Sequence, residues 1–122
     1  MIQLARNLIE GGSIVIRLSF KDLVGIDYEP IDGSVSYTLY AQHSYDDYWD
    51  IVNNREDVRL SSASVVDIVL QGDDLALLPN CLTRRRVIVN WGYLRDGEET
   101  VGRDMVDFHV TPLPAVNIKV KV

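Results

Sequence analysis

The chain has too few cysteines for an internal disulfide bond, because Cys81 is the only one among 122 residues. Small secreted domains often depend on disulfides for their stability. The amino end also lacks the basic start, long apolar centre and small-residue cleavage site of a secretory signal. We therefore expect a protein that is made in a cytoplasm and is held together by its apolar core.

Long apolar runs and excess positive charge are missing as well. No stretch of about 18 apolar residues is present to span a bilayer. Twelve basic residues stand against eighteen acidic ones, which gives a net charge of -6. An acidic chain is repelled by the phosphate backbone of nucleic acids. The sequence predicts a soluble protein with neither a membrane partner nor direct nucleic-acid binding.

Motifs for nucleotide or hydrolase chemistry are absent. The chain has no G-x-G-x-x-G, no phosphate-binding G-x-x-x-x-G-K-[ST] and no G-x-S-x-G. Cys81, His43 and His109 are scattered singly, whereas a zinc site needs paired ligands. With eighteen acids some carboxylates always lie close, so a carboxylate pair is no glycosidase signal. We predict no catalytic residues, cofactor or metal. A hydrolase stays open as a lower-ranked alternative, because a fold does not dictate function.

What the chain does have is alternation of apolar and polar residues, the pattern of half-buried strands. It runs through residues 13–20, 35–42, 85–93 and 105–111, and it is cleanest at Val116, Ile118, Val120 and Val122. Asp96-Gly97 is a hairpin signal, in a loop that we predict to be longer than two residues. The expected core comprises Ile16, Leu18, Tyr37, Leu39, Val87, Val89, Trp91 and Phe108.

Six to eight short strands with almost no helix predict an all-β fold, an immunoglobulin-like antiparallel β-sandwich. Leu4 and Leu8 lie at helical spacing before Gly11-Gly12, which predicts a short N-terminal helix. We divide the chain into an N-terminal segment (1–12), the sandwich (13–111) and a C-terminal β tail (112–122).

The segment from His43 to Asn54 predicts a loop with at most one short strand. It contains three aromatic residues among three acids: Tyr45, Tyr48 and Trp49, with Asp46, Asp47 and Asp50. The spacing of a calcium loop is missing, which favours a solvated acidic loop over a calcium site. The aromatics either cap the sandwich or form an interaction surface, since such residues are enriched at binding hot spots.

Three consecutive arginines, Arg84-Arg85-Arg86, resemble a basic patch in the sequence, but in a strand they would not share one face. Successive side chains of a strand point to opposite faces, so we predict a charged beginning of a strand instead. By the same alternation His109 falls on the polar face of its strand. Cys81 lies beside Pro79-Asn80, and we expect an inert thiol there.

Several phrases along the chain resemble a known family. They are Ser36-Tyr37-Thr38-Leu39-Tyr40, the N-x-R-E-D-V of Asn53 to Val58, the G-D-D-L of Gly72 to Leu75, Arg84 to Val89, and Val106-Asp107-Phe108. In this order they resemble small immunoglobulin-like structural proteins of tailed bacteriophages. The N-terminal segment, the C-terminal tail and the Tyr45–Trp49 loop depart from that pattern.

The resemblance implies a noncatalytic structural or assembly component of the virion, in the head-to-tail or tail region. Its partners would be other phage structural subunits, including copies of itself in a homo-oligomer. The tail residues Val116, Ile118, Val120 and Val122 would then pair with an edge of their own domain or of a neighbouring subunit. The alternative is a carbohydrate or cell-surface binding module that uses the Tyr45–Trp49 loop, and the solvent exposure of Trp49 distinguishes the two.

Overall fold

The computed structural model describes residues 11–20, 28–44, 48–62 and 64–112, and the backbone of residues 2–3 and 8–9. These residues form eight strands and one 3-10 turn, so the protein is all-β as predicted. The strands are β1 (Ile2–Gln3), β2 (Leu8–Ile9), β3 (Gly11–Ser19), β4 (Ser36–His43), β5 (Trp49–Arg55), β6 (Val65–Gly72), β7 (Cys81–Arg95) and β8 (Glu98–Thr111). The 3-10 turn is Asp73–Leu75.

The strands form a larger and a smaller sheet. The larger one has the order β1-β8-β7-β4-β5, and β2 also pairs with β8. Its long strands are antiparallel, whereas β1 and β2 run parallel to β8. The smaller sheet is the antiparallel pair β3–β6. Among the described residues, no helix is long and apolar enough to cross a membrane.

The prediction of an N-terminal helix is wrong. Ile2–Gln3 and Leu8–Ile9 are short strands that pair with Val106–Asp107 and Val110–Thr111 of β8. The edge of β8 offers a row of unpaired backbone groups, and hydrogen bonds to that edge satisfy the segment better than one isolated turn of helix would. Gly11, predicted to stop the helix, instead opens β3 with a φ of 70°.

The core lies between the two sheets and is built from the inward side chains of both. All eight residues expected there are buried, from Leu39, Val87 and Val89 at 0% exposure to Trp91 at 6%. The smaller sheet contributes alternate residues of β3 and β6, such as Ile16 and Ile68. An isolated two-stranded ribbon is marginal in water, so the smaller sheet depends on this packing for its stability.

The longest hairpin joins β7 to β8 through a two-residue turn. Asp96 and Gly97 have φ values of 51° and 79°, as the twisted turns of tight hairpins require. The strands continue to Arg95 and Glu98 on either side, so the prediction of a longer loop is wrong. Beyond Asn90, where its pairing with β4 ends, the hairpin extends as an arm comprising residues 91–102.

Trp91 and Gly102 form a cross-strand pair at the base of this arm. The indole of Trp91 packs against Phe20, with ring centroids 4.8 Å apart, and lies over the backbone of Gly102. A Cβ atom at Gly102 would overlap the indole ring. Position 102 is therefore glycine because the core tryptophan occupies the space of a side chain.

We predict that Gly102→Ala lowers the free energy of unfolding by about 1 to 3 kcal/mol, because the methyl group displaces the Trp91 ring. Gly92→Ala, one strand away, is the matched control. Its Cβ would lie 3.5 Å from Ile31 Cδ1 and Ser34 Cβ, an ordinary contact. Urea denaturation of both variants checks this, and equal stabilities would show that the indole yields without cost.

Arg85 is a fully buried cation on the inward face of β7. Its Nη1 donates to the carbonyls of Leu82 and Arg84, and its Nη2 donates to the carbonyl of Ala76 at 3.0 Å. Among the described residues no carboxylate forms an ion pair with it, and Nε has no hydrogen-bond partner. Burial lowers the pKa of this guanidinium from its ordinary value. The side chain ties the connection after the 3-10 turn to the core.

Arg85→Met is expected to lower the free energy of unfolding by about 1 to 3 kcal/mol, because three partly buried carbonyls lose their donor. Arg95→Met, at the exposed tip of the arm, should change stability by no more than about 0.5 kcal/mol. Chemical denaturation at neutral pH measures both. A stabilised Arg85→Met would mean that burying the cation costs more than its hydrogen bonds return.

Candidate functional site

The larger sheet has one face turned away from the core, which we call the outer face. It comprises the alternate residues of β7 from Arg84 to Asn90 and the residues of β4, β5 and β8 that pair with them. The odd-numbered residues Arg85, Val87 and Val89 point inward and are buried. The predicted alternation of the arginine triplet is therefore confirmed, with Arg84 and Arg86 outside and Arg85 inside.

Trp49 opens β5, at the edge of the sheet, and pairs with Gln42 of β4. The sequence predicted mainly a loop here, whereas the structure forms a seven-residue strand. A bulge between Leu39 and Tyr40 interrupts the pairing and obscures the alternation that would have revealed the strand. Its pairing with Gln42 places Trp49 on the outer face, where it is partly buried.

Two arginines of β7 cover the ring of Trp49. The guanidinium carbon of Arg86 lies 4.4 Å from the ring centroid, and that of Arg84 lies 5.4 Å from it. Strand β4 lies between β5 and β7, so the tryptophan reaches across a whole strand to make these contacts. Guanidinium groups over an indole face are attracted by the ring's negative face and are held in place by it.

Both arginines also bind Asp107 of β8. Arg86 donates from Nε to Oδ1 at 2.8 Å and from Nη2 to Oδ2 at 3.0 Å, a two-point contact. Arg84 donates from Nη2 to Oδ2 at 2.5 Å. The carboxylate is only 3% exposed, although it lies on the outer face. Trp49 of β5, the two arginines of β7 and Asp107 of β8 thus form one network, which we call the arginine–tryptophan cluster.

The cluster sets the ionisation of its carboxylate. Hydrogen bonding to Arg86 in particular lowers the pKa of Asp107 from its ordinary value, against the opposing effect of burial. Asp104, three residues earlier and on the inward side, shows the reverse, because burial raises its pKa. Asp107 therefore remains ionised and neutralises one of the two guanidinium charges beside it.

The other aromatic and acidic residues of the predicted site do not join this cluster. Tyr48 is 48% exposed and stacks on His43 at 4.6 Å. Asp50 points the other way, and the thiol of Cys81 donates to its carboxylate at 3.4 Å. Burial, followed by this contact, raises the pKa of Cys81, which disfavours the reactive thiolate. Tyr45, Asp46 and Asp47 lie outside the described residues.

The predicted tail site also lies outside the described residues, which end at Pro112. Its members are Val116, Ile118, Val120 and Val122. Their pairing with an edge of this or another subunit therefore stays a prediction.

A cleft of about 330 Å³ opens elsewhere on the molecule. Asp32, Asp57 and Arg59 provide its charged lining, and Ile31, Val35 and Leu60 provide apolar lining. Within the parts of the chain that the structure describes, no three His, Cys, Asp or Glu side chains group closely enough to hold a metal ion. The cleft accordingly does not assemble a metal centre from these residues.

The sequence contained a signal for part of the arginine–tryptophan cluster. Counting outward from a two-residue turn at Asp96-Gly97 pairs Arg86 with Asp107, the pair that the structure forms. The sequence carried no such signal for the contact of Trp49 with the arginines, because that contact depends on which strands lie side by side in the sheet.

Comparison of the chain with protein-family models and with curated proteins finds no match. The functional assignment therefore depends on the arrangement of side chains. The arginine–tryptophan cluster is a preorganised cationic surface, and it can bind anions by charge-assisted hydrogen bonds.

We predict that Asp107→Asn lowers the free energy of unfolding at neutral pH by about 1.5 to 3 kcal/mol, through the loss of charge-assisted hydrogen bonds. The folded-state pKa lies below the ordinary 3.8, so this stabilisation is complete above that pH. It is lost as the pH falls through the folded-state value. Thermal or urea unfolding of both proteins across the acid range should show their difference shrinking below about pH 4.

Asp67→Asn is the control for that experiment. Asp67 pairs with Arg17 at 2.8 Å, and this contact lowers its pKa to about 2, but the arginine is 70% exposed. Solvent screening makes such surface pairs weak. The control should therefore lose less stability than Asp107→Asn. An equal loss would show that the cluster is no stronger than a surface ion pair.

Proposed function

We propose that the protein is an immunoglobulin-like sandwich and a noncatalytic structural or assembly component of a tailed phage particle. In immunoglobulin domains, strands B and E share one sheet while C, F and G share the other, with C′ added in the variable type. The pair β3–β6 corresponds to B and E, and the row β8-β7-β4-β5 corresponds to G, F, C and C′. This correspondence supports the immunoglobulin-like assignment.

The arrangement departs from antibody domains in two ways. Those domains place a buried tryptophan on strand C against a disulfide between B and F. Here the buried tryptophan is Trp91, on the strand that corresponds to F, and the chain has a single cysteine. A core held without a disulfide suits a protein that assembles in a reducing cytoplasm.

The role in a particle rests on the resemblance of phrases such as N-x-R-E-D-V and G-D-D-L to tailed-phage structural proteins. The structural observation that carries the assembly role is the arm of residues 91–102. Leu94 and Val101 share one face of it and are 56% and 74% exposed. Adjacent exposed apolar side chains near the tip of this hairpin favour contact with another subunit.

The carbohydrate-binding alternative needs an aromatic ring that is open to a sugar. Trp49 is partly buried, and Arg86 lies over its ring at 4.4 Å. Tyr48 is more exposed but stacks on His43. No observation on these rings favours sugar stacking over subunit contact, so we place the subunit role first.

A particle component should be physically part of the particle. We expect the protein to band with particles purified on a density gradient from the host that carries its gene, at a fixed ratio to the major capsid subunit. Quantitative mass spectrometry measures that ratio across the gradient, and a soluble host protein serves as the contamination control. Recovery in the soluble fraction alone would contradict the proposal.

A further inference from the structure

The outer face carries positive charge on an otherwise acidic protein. The part of this face that runs from Arg84 to Asn90 along β7 has four described charged residues. They are Arg84, Arg86, Arg103 and Asp107, three cations and one anion. The whole chain has a net charge of -6. The described part of the outer face is therefore cationic on a chain that is acidic as a whole.

Arg84 is the member of the arginine–tryptophan cluster with capacity to bind a further group. It is 32% exposed, whereas Arg86 is 21% exposed and makes the two-point contact with Asp107. Among the described residues Arg84 donates one hydrogen bond, from Nη2 to Asp107. Its guanidinium has five N–H donors in a planar fork. An edge of that fork remains for an acceptor from outside.

The surroundings hold Arg84 in place before any partner arrives. Trp49 supports its guanidinium at 5.4 Å, and Asp107 fixes Nη2. A side chain that is already ordered loses less entropy on binding than a free surface arginine does.

From this geometry we infer that the outer face is a docking surface for an acidic segment of a partner protein, with a carboxylate of that segment received by Arg84 against Trp49. The inference deepens the assembly role proposed above and rests on it for the partner being a protein. Charge complementarity between the cationic face and carboxylates provides the recognition, and the indole of Trp49 keeps the guanidinium of Arg84 in place to make the contact.

A nucleic acid fits this surface less well than an acidic segment does. Nucleic acids need a cationic track that follows many phosphates, and they would be repelled by the acidic remainder of the chain. Arg84 and the exposed Arg103, on one sheet face, match a few carboxylates instead.

The test uses the full-length protein and a capped oligoglutamate peptide as the probe. The chain has two tryptophans, and Trp91 is buried, so the indole N–H signal of Trp49 in an NMR spectrum reports on the outer face. We expect this signal to shift as the peptide is added at low ionic strength, and the shift to weaken at high ionic strength. The Trp91 signal should remain unchanged. Absence of a shift at Trp49 would overturn the inference without affecting the particle experiment.

Arg84→Gln should weaken peptide binding about tenfold, since a charge-assisted hydrogen bond is lost. Arg95→Gln, which removes the same charge from the exposed arm tip, should bind as the wild type does. Equal weakening in both variants would mean that only net charge matters. Should Arg84→Gln fail to fold by circular dichroism, Arg84→Lys keeps the charge, loses the planar fork and should bind several-fold more weakly.

Two other probes distinguish the partner class. Oligoaspartate should bind like oligoglutamate, because the carboxylate is the recognised group. Tighter binding of a polyuronate would favour an acidic carbohydrate, and tighter binding of single-stranded DNA would favour a nucleic acid. Either result would overturn the assignment to an acidic protein segment.

Discussion

The turn at Asp96-Gly97 fixes which side chains of the longest hairpin face the core. Because side chains alternate along a strand, a slip of one residue would exchange the two faces of β7 and β8. The observed register places Val87 opposite Val106 on the inside and Arg86 opposite Asp107 on the outside. Strand β4 then adds to one side of the hairpin, and β1 and β2 add to the other. The core and the arginine–tryptophan cluster therefore depend on the same two-residue turn.

The two buried charged residues of the described chain meet different requirements. Asp107 is covered on the outer face and is compensated by two guanidinium groups. Arg85 is buried within the sandwich and is compensated by backbone carbonyls. Burial of an uncompensated charge is costly, so each group needs its partners in place when the fold closes. Each consequently ties separate parts of the chain together: Asp107 joins β7 to β8, and Arg85 joins the connection after the 3-10 turn to β7.

The proposed contacts of the protein lie on different parts of the larger sheet. The arm presents apolar side chains at Leu94 and Val101, whereas the outer face presents guanidinium groups supported by Trp49. Apolar contact gives affinity with little directional preference, and charged contact favours one partner and orientation over others. In the proposed assembly role, a subunit that carries both would be attached firmly and in a defined orientation.

The sequence by itself determined the all-β class, most strands and the core, because alternation is a local property of the chain. The inward residues of β3 and the split of the arginine triplet followed from that period alone. Tertiary structure decided the rest. Leu8–Ile9 became a strand because β8 offered an open edge, and Gly102 is needed because Trp91 packs over it. Trp49 contacts Arg86 because β4 is the single strand that separates β5 from β7 in the sheet. Such contacts depend on the order of the strands, which local periodicity does not encode.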